Sequence, residues 1–211
     1  MVVVNIGCGA SPTPGAVNLD RSFSVTLGRR PLLFKLLNGL HILSPDQAAY
    51  ADFCRTAGIT RASCLSTGLA DGSADVVYSS HMLEHLPRES AAAFLREARR
   101  ILKPDGVLRI SVPDMALLID KYNEDGDCDA LLSASLLAPA PVKTLRQKLL
   151  YLASGHRGHY WMYDEASLTR LLQANGFPSC TRLKAGETTI PGDTGINLSE
   201  RADESLYIEA R

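Results

Sequence analysis

The sequence predicts a doubly wound α/β fold: a mainly parallel sheet with helices on both faces, antiparallel strands at its C-terminal end and a helical insertion after the fifth strand. Short β-branched runs alternate along the chain with apolar stretches at helical spacing. A glycine turn, Gly7-Cys8-Gly9, directly follows the first of these runs. With 211 residues and no internal repeat, the chain has the length of a single domain, 1–211, that carries insertions.

The first two predicted strands lie close together in the sequence. Residues 2–6 form one short β-branched run and residues 16–20 a second, with Pro12 and Pro14 between them. About ten residues separate the runs, which is fewer than a helical crossover normally requires, so the first crossover helix should be one turn long or absent. The pattern then predicts helices over 29–40 and 45–57, a weak third strand at 63–65 and a fourth strand at 74–79.

The most regular helical pattern follows the fourth strand. It begins at Leu86-Pro87, continues with apolar residues three and four positions apart, and stops at the turn 103–106. The later predicted elements are a fifth strand at 107–112, a leucine-rich helical pattern over 127–153 broken by Pro139 and Pro141, a helix capped by Asp164 and ended by Asn175-Gly176, and strands near 179–184 and 204–210.

Charge and cysteine content limit the classes of partner. The net charge is -1, which argues against broad electrostatic attraction to nucleic acid or to an anionic membrane. The five cysteines are scattered and include no C-x-x-C pair, as is typical of reduced thiols. The first residues lack the pattern of a signal peptide, and no apolar stretch is long enough to span a membrane. We therefore expect a cytoplasmic protein that binds no nucleic acid.

The glycine turn and an acid at the end of the second strand form the first candidate site. A glycine-rich turn lets a ligand approach the backbone closely, and Asp20 could accept hydrogen bonds from both hydroxyls of a ribose. A dinucleotide would also need a third glycine and a helix N-terminus for its pyrophosphate. Pro12 stands at that glycine position, so a ligand without phosphate is favoured over a nicotinamide cofactor.

Four segments resemble class I S-adenosylmethionine-dependent methyltransferases. NIGCGAS is similar to their first motif, and DGSADVVYSSHMLEHL to their fourth strand and the turn after it. LREARRILKPDGVLRISVPD is similar to their helix, turn and fifth strand, and GHRGHYWMYDEASLTRLLQANGF to the tail of type-11 members found beside polysaccharide genes. The ordered series is specific, although no single motif is. The resemblance implies a Rossmann-like sheet and methyl transfer from S-adenosylmethionine to a hydroxyl oxygen of a small-molecule or glycan acceptor.

Carried over position by position, the resemblance also implies a cofactor site. The two glycines would pass under the methionyl group, Asp20 would hold the ribose, and 65–69 would lie near the adenine. Three departures weaken the match: Asn5 stands where the family has an acid, Ser11 replaces its third glycine, and Cys64 replaces an acceptor for the adenine amino group. The implied cofactor-binding residues are Asn5, Gly7, Cys8, Gly9, Asp20, Leu65, Leu69, Ser79, Ser80 and His81.

The run His81-Met82-Leu83-Glu84-His85 also matches the H-x-x-E-H pattern of a class of zinc proteases. Its two histidines are four positions apart and could share one face of a helix. Against this, the run directly follows a strand, and no motif marks a further acidic ligand. We expect instead a turn in which Leu83 and Leu86 are buried, the backbone binds His85, and no metal is needed.

The segment GHRGHYWMY, 155–163, is the predicted acceptor side of the site. Its rings could stack on a sugar or an aromatic acceptor. His159 and His156 are candidate general bases for a hydroxyl acceptor. Asp114, after the fifth strand at the carboxyl edge of the sheet, is the third candidate, and its alternative role is a turn or helix cap. A carboxylate acceptor would need no base.

We expect 125–163 to form a helical lid over the acceptor. In the alternative interpretation its last part is a surface loop, with Trp161 and Tyr163 packed into the domain. Two rival functions remain at this stage. Asn5 and Cys64 favour a non-catalytic relative that binds a partner, whereas a nicotinamide oxidoreductase is disfavoured by the missing third glycine.

Overall fold

The computed structural model describes residues 1–137 and 158–211. The strands are β1 Val3–Ile6, β2 Val17–Asp20, β3 Thr60–Arg61, β4 Ala74–Ser80, β5 Leu102–Pro113, β6 Cys180–Leu183 and β7 Ser205–Ala210. The helices are α1 Phe23–Gly28, α2 Pro31–Gly39, α3 Pro45–Thr56, α4 Arg88–Ile101, α5 Met115–Asp125, α6 Cys128–Ser135 and α7 Glu165–Gln173, with a 3₁₀ turn at Leu83–His85.

These strands form one sheet in the order β3-β2-β1-β4-β5-β7-β6. The pairs among the first five strands are parallel, and β7 is antiparallel to both β5 and β6. The predicted mainly parallel sheet with antiparallel C-terminal strands is confirmed. Because the strand order reverses between β1 and β4, the carboxyl ends of these two strands border the crevice where open α/β sheets bind ligands.

The first crossover contains no helix, as predicted, since residues 7–16 form turns. The pattern misses α1 and α5 and places β3 too late. Strand β3 pairs through only two residues, which is too short for a periodic signal. Helix α1 is six residues long, and α5 has no buried residue, so neither shows a clear apolar stripe.

Different parts of the chain cover the two faces of the sheet. On one face, helices α4 and α7 pack their apolar stripes, among them Phe94, Leu95 and Leu168, against the central strands. On the other face, Tyr78 and its neighbours pack against Ile190 and Ile196. The segment 184–204 therefore takes the place that a helix layer usually occupies.

A buried ion pair holds that segment to the sheet. Arg109 of β5 and Glu209 of β7 are register partners, and their charged atoms lie 2.7 Å apart with both side chains inaccessible. Burial alone would raise the pKa of Glu209, but hydrogen bonds from Thr188, Thr189 and Arg109 hold it below its usual value. The pair thus fixes both the β5–β7 register and the start of the covering segment.

All five cysteines are free, as predicted for reduced thiols. Among the described helices, none combines the length and the apolar character that crossing a membrane requires.

Candidate functional site

The glycine turn after β1 has left-handed backbone at both glycines. Gly7 has φ +74°, and a Cβ there would lie 2.5 Å from Cγ of Met82. Gly9 has φ +49°, and a Cβ there would meet no atom within 4 Å. The backbone N–H groups of Gly7 and Cys8 both donate to the carbonyl of Leu19, which fixes the turn to β2. Only Gly9 therefore borders open space, because Met82 covers Gly7.

Asp20 ends β2 directly beside this turn. Its Oδ2 accepts from the backbone N–H of Gly9 at 3.1 Å, and its Oδ1 accepts from that of Ser22 at 2.7 Å. An ionised carboxylate offers about four acceptor positions, so these contacts orient Asp20 and leave capacity for a ligand's hydroxyl groups.

The side chains of Asn5 and Cys8 are used inside the protein. Asn5 is buried, and its amide nitrogen donates to the carbonyl of Ser11 at 3.1 Å and to the hydroxyl of Thr13 at 3.0 Å. An acid at this position could not make those donations, which explains the departure from the family pattern. Cys8 packs against Val25 in the core, and burial raises the pKa of its thiol to about 12. Because this side chain faces the core, a cofactor contact of Cys8, as predicted, would be made by its backbone.

Hydrogen bonds with α4 hold the loop that follows β3 in place. Glu97 accepts from both the backbone N–H and the hydroxyl of Thr67, each at 2.7 Å. Leu69 and Cys64 pack partly into the main core, whereas Leu65 is exposed. Of the two leucines among the predicted adenine neighbours, Leu65 is thus the accessible one, and Leu69 supports the loop.

Strand β4 delivers a buried hydroxyl and a strained histidine to the crevice. Ser79 is buried, and its hydroxyl has no hydrogen-bond partner within the described residues. Ser80 follows on the opposite face of the strand, as strand alternation requires. His81 has φ +48°, a left-handed conformation that is uncommon for any residue with a Cβ. An unpaired buried hydroxyl and backbone strain at one strand end are features of ligand sites.

The H-x-x-E-H run forms a turn and not a helix face, as predicted. Leu83 is buried, Leu86 packs on the core, and the carbonyl of Gly158 binds Nδ1 of His85 at 3.0 Å. His85, the second histidine of the run, contacts His159 from the segment before α7. The rings of His85 and His159 are 4.8 Å apart between centroids and stand edge-to-face at 73°.

His159 is the candidate base that the structure describes best. The residue is 7% exposed, and its backbone N–H donates to the carbonyl of Leu136 at 3.0 Å. Burial lowers the pKa of His159, against the opposing effect of the Glu84 carboxylate. The ring is therefore held in its neutral form. His156, the second candidate, lies outside the described residues, as does the part of the predicted lid over 138–157.

A cavity of about 400 Å³ lies beyond β5. Helices α5 and α6 form its walls, and Asp114, His159 and Arg201 also line it. Its apolar surface comes from leucines, including Leu117 and Leu131, and its rim carries charges of both signs. A site of this size and composition suits a small polar ligand. Two of the three candidate bases thus share one cavity.

Asp114 is a cap, the alternative that the sequence left open. It is 1% exposed, its Oδ1 accepts from the backbone N–H of Ala116, and its Oδ2 pairs with Arg182 at 3.2 Å. The carboxylate thus caps α5 and pairs with a cation while it lines the cavity. The ring-rich segment is packed into the domain only in part: Tyr163 is fully buried, while Trp161 remains 43% exposed beside Arg88.

Sequence reasoning missed helix α5 and the cavity that it encloses. Signals for the helix were available: Asp114 caps its start, and Gly126 ends it with φ +67°. The contribution of Arg201 to the cavity had no such signal, because it comes from the segment that covers the opposite face of the sheet.

Comparison with known proteins gives a family and a fold. The model of a methyltransferase domain family matches residues 6–179. No curated protein matches the sequence. Its fold is similar to that of an S-adenosylmethionine-dependent methyltransferase from Thermotoga maritima, with 14% identity, a TM-score of 0.52, and coverage of 99% of this chain and 81% of that chain.

Two further solved structures share the fold. PigF with S-adenosylhomocysteine has 14% identity and a TM-score of 0.52, and the match covers 100% of this chain and 50% of that one. A protein from Pyrococcus horikoshii OT3 has 11% identity and a TM-score of 0.50, with 99% and 80% coverage. At these identities the likeness concerns the fold alone.

Proposed function

This chain belongs to the methyltransferase domain family and is an S-adenosylmethionine-dependent methyltransferase; from that premise we propose that it methylates a hydroxyl oxygen of a small-molecule or glycan acceptor. One observation carries the proposal: His159 lines a cavity at the carboxyl edge of the sheet, and its ring contacts the turn that follows β4. An acceptor bound there would meet a neutral imidazole next to the cofactor crevice.

The cofactor residues follow from the fit of the crevice to S-adenosylmethionine. That cofactor supplies, when bound, an electrophilic sulfonium methyl group that needs little activation by the protein. The open side of Gly9 would admit its methionyl part, Asp20 would accept from the ribose hydroxyls, and Leu65 would lie near the adenine. The orphaned hydroxyl of Ser79 and the backbone around His81 provide polar contacts at the end of β4.

The acceptor cavity favours a polar, hydroxylated molecule. Leucines form an apolar surface, while Lys121, Arg201 and several carboxylates at the rim offer hydrogen bonds of both kinds. Positioning in such a cavity supplies much of the catalysis for an in-line displacement.

His159 is the residue on which activation of the hydroxyl depends. The reaction breaks the C–S bond as the C–O bond forms, and the hydroxyl proton must leave. A neutral imidazole can take that proton itself or hold a cation that acidifies the hydroxyl. Asp114 is already a cap and an ion-pair partner, so we assign it to holding the cavity wall.

The test compares His159→Ala with His41→Ala, a change of an exposed histidine in the turn after α2. Labelled S-adenosylmethionine is offered with a panel of free sugars, nucleotide sugars and phenols. We expect His159→Ala to lower methyl transfer by about 100-fold or more, and His41→Ala to leave it unchanged. Affinity for S-adenosylhomocysteine should stay within about 0.5 kcal/mol in both variants.

Full turnover by folded His159→Ala would contradict the proposed acceptor site. Transfer to a nitrogen or carboxylate acceptor, with the hydroxyl compounds inert, would contradict the proposed acceptor class.

A further inference from the structure

The buried carboxylate of Glu84 lies beside three imidazoles, and no group among the described residues donates a hydrogen bond to it. Glu84 is completely buried, and neither side-chain oxygen has a hydrogen-bond partner within the described residues. Its Oε1 lies 3.5 Å from Nδ1 of His81 and 3.9 Å from Nε2 of His85. His159 completes the cluster against the ring of His85. A charge buried in this way is strongly destabilising unless a cation compensates it.

The rings of His85 and His159 both contact acceptor atoms, and such contacts indicate which ring nitrogen carries the proton. Nδ1 of His85 lies 3.0 Å from the carbonyl of Gly158, and because a carbonyl only accepts, Nδ1 carries the proton. Nδ1 of His159 lies 3.3 Å from Sδ of Met162, another acceptor. In the neutral ring of His85, Nε2 is therefore unprotonated. The ring of His159 has a second hydrogen bond, with the backbone of Ser135.

Ser205 contacts the ring of the third histidine, His81. Its hydroxyl lies 2.9 Å from Nε2 of His81 and 3.2 Å from the carbonyl of Glu200. Nδ1 of His81 lies between Oε1 of Glu84 at 3.5 Å and the guanidinium of Arg201 at 3.4 Å. The cluster thus gathers a buried carboxylate and the ring nitrogens of three histidines in one small volume, with Arg201 at its border.

We propose that Glu84, His85 and His159 form a binding site for a divalent first-row transition cation, with His81 at its border. One donor atom from each of the three residues lies within 4.8 Å of the others. Donors that share one tetrahedral zinc ion lie about 3.4 Å apart, so the widest pair needs to close by up to roughly 1.4 Å when the ion binds.

The donor set indicates the class of ion and its use. Imidazoles with a carboxylate suit zinc, manganese or iron, and three protein ligands leave coordination positions open, as in catalytic sites. The outer nitrogens of both ligating rings are already held, as metal-binding histidines require. His159 also lines the acceptor cavity, so an ion that it binds would lie beside the acceptor. Only this last role rests on the proposed function; binding of the ion does not.

The H-x-x-E-H run alone predicted no metal. What the run lacks is a third ligand, and no motif marks one. The tertiary structure brings that ligand from the segment after 157, because the backbone N–H of Tyr160 donates to the carbonyl of Glu84 at 2.8 Å and places His159 above it.

The experiment measures metal binding directly. Full-length protein is dialysed against a chelator and then titrated with Co²⁺, followed by visible absorption, and with Zn²⁺, followed by calorimetry. The wild type should bind one ion per chain, and Glu84→Gln and His85→Ala should bind at least about tenfold more weakly. His41→Ala should bind as the wild type does.

A stability measurement shows whether each variant is folded. In chelator, Glu84→Gln should unfold at no lower temperature than the wild type, because the amide removes an uncompensated buried charge. The same concentration of Zn²⁺ should raise the unfolding temperature of the wild type and of His41→Ala by more than that of Glu84→Gln.

A dialysed wild type that binds neither ion, or a Glu84→Gln variant that binds as tightly, overturns the metal site and assigns the positive charge to a proton on the cluster. If metal binding fails while His159→Ala still abolishes transfer, the metal site falls and the proposed function stands. Stoichiometric binding together with full transfer by His159→Ala upholds the metal site and overturns the proposed role of His159.

Discussion

Asp20 joins the glycine turn to the end of β2 and keeps acceptor capacity on its open side. The contacts with Gly9 and Ser22 hold its carboxylate in place before any ligand arrives. We predict that Asp20→Ala weakens S-adenosylhomocysteine binding by about 1.5–3 kcal/mol, because it removes hydrogen bonds from the ribose to a charged group. Calorimetry measures this loss.

Two comparisons separate the ribose role of Asp20 from its role in the turn. Asp52→Ala removes an exposed aspartate of α3 and should leave affinity unchanged. Asp20→Asn keeps an acceptor oxygen for the turn and should bind more tightly than Asp20→Ala. Wild-type affinity in folded Asp20→Ala would remove this residue from the site.

The loop after β3 is attached to helix α4 through the carboxylate of Glu97. Hydrogen bonds from Arg100, helped by those from Thr67 and opposed by burial, hold the pKa of Glu97 at about 2. The unfolded value is about 4.3. A pKa that is lower in the folded state stabilises the fold above the unfolded pKa, and this contribution is lost as the pH falls from about 4.5 to about 2.

We therefore predict that Glu97→Gln lowers the free energy of unfolding at neutral pH by about 1.5–3 kcal/mol. The difference from the wild type should shrink as the pH falls through that window, which urea unfolding at a series of pH values would measure. Glu89→Gln, an exposed change on the same helix, should show no such pH dependence. A pH-independent difference for Glu97→Gln would mean that its carboxylate charge does not hold the loop.

At the scale of the whole molecule, the Arg109–Glu209 pair connects the sheet to the segment that covers one of its faces. Arg109 also donates to the carbonyls of Glu187 and Leu198 at 2.9 and 3.1 Å. We predict that Arg109→Leu lowers the free energy of unfolding by about 3–5 kcal/mol, because it leaves the Glu209 charge buried and unpaired. Denaturant unfolding measures the change.

The double variant Arg109→Leu with Glu209→Leu provides the matched comparison. Replacing both charges leaves no uncompensated ion, so it should cost less than Arg109→Leu alone. If the double variant is instead the less stable of the two, the hydrogen bonds to the covering segment outweigh the charge pairing.

Local sequence determined the elements that carry their own signals. Ser44-Pro45 begins α3, Asp164 caps α7, and the stripe led by Phe94 places α4 on the sheet. The glycine turn and Asp20 were likewise visible, because a turn and the strand end beside it lie close in sequence. These features depend on contacts within a few residues, which a linear pattern records.

Tertiary structure alone decided what depends on distant partners. The ion pair of Asp114 with Arg182 forms because β6 brings that side chain to it. The cluster around Glu84 needed His159, and the cavity needed α5 together with Arg201. Local sequence does not predict these contacts. Burial and hydrogen bonding across the fold determine which distant side chains face each other, and spacing along the chain does not.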